Sequence, residues 1–160
     1  MTRSTDYMPQ GRHSLSPCLI TRDGKSAIEF YQKAFGAEVL TAIFGPDKNH
    51  LANAVLKIGD SVFIVADEWP QDRESRSPVS LNGTSVSMYL FVEDVDRVFK
   101  NAVDAGAKPV QEPAEMFWGD RWCLLVDPEG HYWQIATHLR DLSDDEMHQA
   151  AQAFLAKIPH

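Results

Sequence analysis

The chain has 160 residues, 44% hydrophobic and 24% charged, and 15 Lys+Arg against 23 Asp+Glu give a formal net charge of −8. That length suits one domain with a real core, and nine Gly and nine Pro indicate neither disorder nor a fibre. No apolar run approaches the roughly 20 residues of a membrane span. Residues 1–12 are polar with no leader-like apolar stretch, and no Lys/Arg cluster offers itself to a nucleic-acid polyanion, so the expectation is a cytoplasmic protein with neither a membrane nor a nucleic-acid partner. The acidic balance suits solubility, and it also favours a cationic small molecule by steering. Cys18 and Cys123 stand far apart in apolar stretches with no CxxC and no Cys/His cluster, which implies buried structural thiols rather than a zinc site or a disulfide framework.

Residues 1–12 are expected to be a tail. Residues 15–21 read as a short strand, ended by Asp23-Gly24. Residues 26–35 follow as a helix, with Ile28, Tyr31 and Phe35 at helical spacing and Gly36 as its stop. Three strands are expected at 38–44, 51–58 and 61–66, the last two joined by the turn Gly59-Asp60. Residues 67–83 are polar and contain Pro70 and Pro78, and read as a long exposed linker closed by Asn82-Gly83.

A second round then begins. Residues 84–92 read as a strand, and 94–105 as a helix with Val95, Val98, Phe99, Ala102 and Val103 on one face, stopped by Gly106. Strands are expected at 108–112, 120–126 and 131–137, with the turn Asp127-Pro128-Glu129-Gly130 before the last. A final helix starts at Ser143 with a capping box to Glu146 and carries the stripe Met147, Ala150, Ala151, Phe154, Leu155 and Ile158.

The two rounds share one order of elements. Gly36-Ala37 and Gly106-Ala107 are 70 residues apart, and Gly59 and Gly130 are 71 apart. Such self-similarity indicates two βαβββ modules in an α+β fold with a C-terminal helix. The division is a tail (1–12), a single domain (13–142) of module one (13–66), linker (67–83) and module two (84–142), and the helix (143–160).

The segments Ala27-Ile28-Glu29-Phe30-Tyr31-Gln32-Lys33-Ala34-Phe35-Gly36, Ile58-Gly59-Asp60-Ser61 and Asp127-Pro128-Glu129-Gly130-His131-Tyr132-Trp133-Gln134-Ile135-Ala136 resemble the vicinal oxygen chelate superfamily, the glyoxalase/bleomycin-resistance/dioxygenase group. Met116-Phe117-Trp118-Gly119-Asp120-Arg121 with Ala136-Thr137-His138 resembles its PhnB-like branch. The resemblance spans residues 13–142. It implies two modules around a concavity and, in the enzymes, one divalent metal held by His, Glu or Gln and acting as a Lewis acid. It places the four ligand positions at Ser16, Phe63, Ser87 and Gln134. A phenyl ring cannot coordinate and neutral hydroxyls are poor ligands, so the expectation is a site without a metal.

To Phe63, Ser87 and Gln134, which the resemblance places in the concavity, alternation along the strands adds Asn53, Tyr89, Phe91, Arg121, Tyr132 and His138 as a wall for a small organic ligand, with Cys18, Val55, Ser85 and Cys123 beside them. Trp118 is added as a loop residue that caps a ligand, stacks on Arg121 or staples the strand. The leading reading is a metal-free binding protein, similar to the antibiotic-resistance members that sequester drugs in grooves of a homodimer. The alternative is a lyase, isomerase or dioxygenase using one divalent metal ion on displaced ligands such as His138, His50 and Gln134. A third reading has Phe63, Tyr89 and Phe91 filling a closed core.

Overall fold

The computed structural model describes residues 6–69, 71 and 74–157. Pro70, Asp72 and Arg73 of the expected linker, and Ile158 of the last apolar stripe, lie outside them. The chain divides into two compact units, Met1–Gly83 and Thr84–His160.

The first unit runs β1 (Cys18–Thr21), α1 (Gly24–Phe35), β2 (Glu38–Phe44), β3 (Leu51–Ile58), β4 (Ser61–Asp67) and α2 (Pro78–Leu81). The second runs β5 (Ser87–Phe91), α3 (Val95–Asp104), β6 (Lys108–Glu115), β7 (Asp120–Val126), β8 (Tyr132–His138) and α4 (Asp144–Leu155). The sheet orders are β1-β4-β3-β2 and β5-β8-β7-β6. In each, the first strand pairs with the last in parallel and the other neighbours are antiparallel. These are two βαβββ modules.

Capping chemistry explains where the helices begin and end. Asp23 and Asp94, 71 residues apart, each accept a hydrogen bond from the amide three residues on, Ser26 and Arg97. Gly36 ends α1 at φ 67°, a left-handed conformation that glycine adopts without Cβ strain. Ser143 and Glu146 form the reciprocal capping box at α4. The apolar stripe of α1 (Ala27, Ile28, Phe30, Tyr31, Ala34) is buried together with Ala54, Leu56, Phe63 and Val65 of the sheet. The Tyr31 and Phe63 rings meet edge to face at 5.5 Å. In the second unit Val95, Val98 and Ala102 of α3 are buried with Cys123, Leu125, Trp133 and Ile135.

The stretch after β4 is not a uniformly exposed linker. Asp67 is 4% exposed and ends β4, Ser77 is fully buried, and Pro78 opens the short α2 with Ser77 as its cap. Glu68 gathers this segment by accepting from the Ser77 amide and the Ser80 hydroxyl and pairing with Arg76. A run of polar residues reads as loop, but here their side chains satisfy buried backbone groups. The thiols differ too: Cys123 is buried, whereas Cys18 is exposed, because it shares the face of Ile64 across the β1–β4 pair rather than facing α1. None of the described residues of α4 is buried, and Phe154 rests on Phe117 at 5.0 Å.

One contact ties helix to sheet in both units. The end of β4 supplies Asp67, which accepts from the Gly24 amide at the start of α1, the Leu51 amide and the Thr21 hydroxyl. Its counterpart 70 residues on is Thr137, whose hydroxyl accepts from the Val95 amide at the start of α3. A buried carboxylate with three donors should weigh more than one hydroxyl. We expect Asp67→Ala to cost about 2–4 kcal/mol and Thr137→Ala about 1 kcal/mol in urea unfolding. Equal costs would show that the two anchors are not distinguished by their donor count.

Candidate functional site

In the second sheet, α3 covers one face and leaves the other open. Cross-strand partners project to the same side, so the register sorts the residues. Ser87 pairs with Tyr132, Tyr89 with Gln134 and Phe91 with Ala136. Leu124 pairs with Gln134, Trp122 with Ala136 and Asp120 with His138. This set forms the open face. The opposite set (Arg121, Cys123, Leu125, Trp133, Ile135 and Thr137) faces α3: Arg121 makes a two-point ion pair with Asp96, both bonds 2.7 Å, and Thr137 accepts from Val95.

Two expected wall residues are thereby corrected. Arg121 belongs to the helix side, and its fork holds the Asp96 carboxyl below its ordinary range. Its neighbour Cys123 is fully buried there, with its thiol pushed up to about 11 by burial. Phe63 likewise packs on Tyr31 of α1 rather than lining the open face. The Arg121 misplacement has its cause in one turn. Ile58 and Ser61 flank a two-residue turn, whereas Asp127 and His131 flank three residues, with the Asp127 amide bonded to the His131 carbonyl. The extra residue shifts parity between β7 and β8 and changes the repeat offset of the last strand. Tyr89 pairs with Gln134 as Cys18 pairs with Ile64, so the counterpart of Gln134 is Ile64 and not Phe63.

The open face carries a groove of about 450 Å³ lined by Thr84, Ser85, Val86, Ser87, Trp122, Leu124, Tyr132 and Gln134. The Gln134 amide donates to the Ser87 hydroxyl at 2.7 Å, bridging β8 and β5. Trp122 is 8% exposed and its indole N–H has no hydrogen-bond partner among the described residues. Tyr89 and Phe91, with rings 5.1 Å apart, are 45% and 62% exposed. They are a surface, not a closed core.

At one end of this face sits Asp120, 6% exposed. Its Oδ2 accepts from the Trp118 indole (3.0 Å) and the Tyr89 hydroxyl (3.3 Å), and its Oδ1 from His138 Nδ1 (2.7 Å). Trp118 therefore serves as a strut for Asp120 and does not stack on Arg121. The loop holding it is fixed by Gly119, which sits at φ 97°, accepts from the Leu139 and Arg140 amides, and leaves no room for a Cβ beside the Arg140 carbonyl. Burial, then the Asp120 charge, raise the Tyr89 hydroxyl above its ordinary value. The hydrogen bond to Asp120, then a second from Nε2 to Asp141 (3.1 Å), raise His138 above 6.5.

In the first unit Asn53, Val55, Ile64 and Ser16 line a separate groove of about 470 Å³, bordered by His13 and by Tyr7, Met8 and Arg12 of the segment assigned to a tail. Trp122, Leu124 and Asp120 were absent from the sequence-derived wall. Alternation from Gln134 would have found all three once the longer turn was counted.

The positions that the resemblance offers for a metal are, on this register, Ser16, Ile64, Ser87 and Gln134: two neutral hydroxyls, an aliphatic side chain and a single amide. This donor set does not fit a divalent cation. The displaced set fits no better. Gln134 and His138 are four residues apart on one strand, about 13 Å, and both nitrogens of His138 meet carboxylates. The His50 ring lies 3.9 Å from that of Trp69 with its Nε2 buried.

The family model of the Glyoxalase/Bleomycin resistance protein/Dioxygenase superfamily matches residues 13–135, and the chain belongs to that superfamily. It is 40% identical over 139 residues to the Mycobacterium tuberculosis protein Rv0887c, an uncharacterized protein, covering 86% of this chain and 81% of that one. Among solved structures it is similar to an Arabidopsis thaliana gene product, At5g48480 (TM-score 0.61, 28% identity, 78% of this chain and 98% of that one). It is also similar to TioX from Micromonospora sp. ML1 (TM-score 0.58, 26% identity, 79% and 100%).

The raised His138 has a definite sign. A folded-state value above the unfolded one contributes stability below about pH 6.5 that is lost as pH rises through the folded value. NMR titration should give His138 a midpoint above 6.5 in the native protein and a lower one in Asp120→Asn. An unmoved midpoint would contradict the Asp120 bond as its cause.

Proposed function

We propose that this protein binds a small aromatic cation, without a metal, on the open face of its second sheet, and that it does so as a homodimer. The observation that carries the reading is the groove itself: a pocket of ligand size walled by Trp122, Tyr132 and Leu124 and edged by Ser85, Ser87 and Gln134. The unpartnered Trp122 N–H is a buried donor that a ligand acceptor would satisfy. The exposed Tyr89 and Phe91 rings offer π faces to a cation, and the net charge of −8 attracts one. The metal-free part rests on a donor set of two neutral hydroxyls, Ile64 and a single amide. The dimer part is supported by β2, an edge strand that exposes Val39, Leu40, Ile43 and Phe44.

Ethidium should bind the purified protein more weakly as salt rises, whereas the anionic 8-anilinonaphthalene-1-sulfonate should not bind. Trp122→Phe keeps the ring and removes the donor, and should weaken a ligand that uses it about 3- to 12-fold, the worth of one hydrogen bond of about 0.7–1.5 kcal/mol. Elemental analysis should find no stoichiometric zinc, nickel or manganese. A stoichiometric metal, or preference for the anionic dye, would contradict the proposal.

A further inference from the structure

We propose that Gln134 and Ser87 read an amide edge, an N–H beside a C=O on a flat ring, so that the groove of the second sheet takes a lactam-bearing aromatic whose positive charge stays outside it. The proposal rests on the reading that this groove holds a small aromatic ligand, and it names the part of the ligand that enters.

The lining decides what can enter. No charged side chain lines the groove. A cationic centre seated there would give up water without meeting a carboxylate, which is costly. The inserted part is therefore neutral, and the cation is met by the exposed Tyr89 and Phe91 rings beyond the groove on the same face. Trp122, Leu124 and Tyr132 suit a flat ring, but apolar contact alone fixes neither its direction nor its identity.

Polar groups must do that. Thr84 is turned on its own loop, its hydroxyl donating to the Val86 carbonyl and accepting from the Val86 amide. Gln134 and Ser87 are differently placed. The Gln134 amide N–H donates to the Ser87 oxygen at 2.7 Å, which sets the two groups side by side. That bond uses one N–H and one lone pair. The Gln134 carbonyl oxygen and the Ser87 hydroxyl hydrogen have no further partner among the described residues. They present an acceptor next to a donor, the complement of a lactam N–H next to its C=O. Turning the amide over would leave a Gln134 N–H beside a Ser87 lone pair, again one donor and one acceptor. The pair thus accepts an amide edge in either orientation and disfavours an edge with two donors or two acceptors.

The strands set this pair among the apolar walls. Gln134 lies opposite Leu124 on β7, and Ser87 opposite Tyr132 on β8. A ring bonded to the pair therefore rests against Leu124 and Tyr132.

The test compares three neutral bicyclic probes by chemical-shift titration of the native protein: isoquinolin-1(2H)-one, its N-methyl derivative and isoquinoline. Only the first carries the whole edge. It should bind about 3- to 12-fold more tightly than the other two, the worth of one hydrogen bond, with shifts at residues 84–87, 124 and 134. Gln134→Leu should bind all three alike. Gln134→Glu places acceptors where the amide edge was read, and should move the preference at least tenfold toward 1-aminoisoquinolinium, whose edge is two N–H donors. A damaged fold would not produce such a reversal. Equal binding of the lactam and its N-methyl derivative by the native protein, or an unchanged preference in Gln134→Leu, would overturn the assignment. Ethidium binding on the same preparations keeps the two readings apart. Ethidium bound without discrimination among the three probes contradicts the amide reader alone, and no binding of ethidium or of any probe contradicts the groove itself.

Discussion

The alternation of side chains across two short sheets is the constraint from which the rest follows. Each sheet turns one face to a helix and the other away from it, and a residue's parity decides which chemistry it can take part in. On the helix side, parity gives closely packed aliphatic and aromatic residues, with Tyr31 and Phe63 in one unit and Cys123, Trp133 and Ile135 in the other. On the open side of the second unit it gives hydroxyls, an amide, four aromatic rings and one buried carboxylate. The same backbone pattern thus builds a core and a recognition surface from adjacent residues.

Anchors at the strand ends hold that alternation in place. Asp67 and Thr137 fasten the starts of α1 and α3 to the last strand of each module, so each helix can cover only one face. The two are not chemically equal, a carboxylate with three donors against a hydroxyl with one. In the second unit the comparable carboxylate is Asp120, placed at the edge of the open face and held by Trp118, Tyr89 and His138. Both carboxylates are buried, Asp67 at the start of α1 and Asp120 on the open face.

Much of the fold was legible in the sequence. The glycine stop after α1 and the Ser143 capping box report local backbone requirements, and these are met in place. The parity of β5 and β8 was legible for the same reason, and it put Ser87, Tyr89, Phe91, Tyr132, Gln134 and His138 on one face. What was not legible was the length of one turn. Asp127-Pro128-Glu129-Gly130 reads as a tight turn, but Asp127 bonds across to His131, and that one extra residue reversed the face assigned to Arg121. The partners of a carboxylate were also hidden. Asp120 and Arg121 are neighbours in a strand and point to opposite faces, so Arg121 goes to Asp96 and Asp120 to His138.

The central claim is that the open face of the second sheet is where this protein meets a small aromatic ligand. Intermolecular NOEs between bound ethidium and the protein test it most directly. The account predicts contacts to Tyr89, Trp122, Leu124 and Tyr132, and none to Leu90, Cys123, Leu125 or Ile135. Contacts confined to the second group, or to Phe154 of the exposed C-terminal helix, would contradict it.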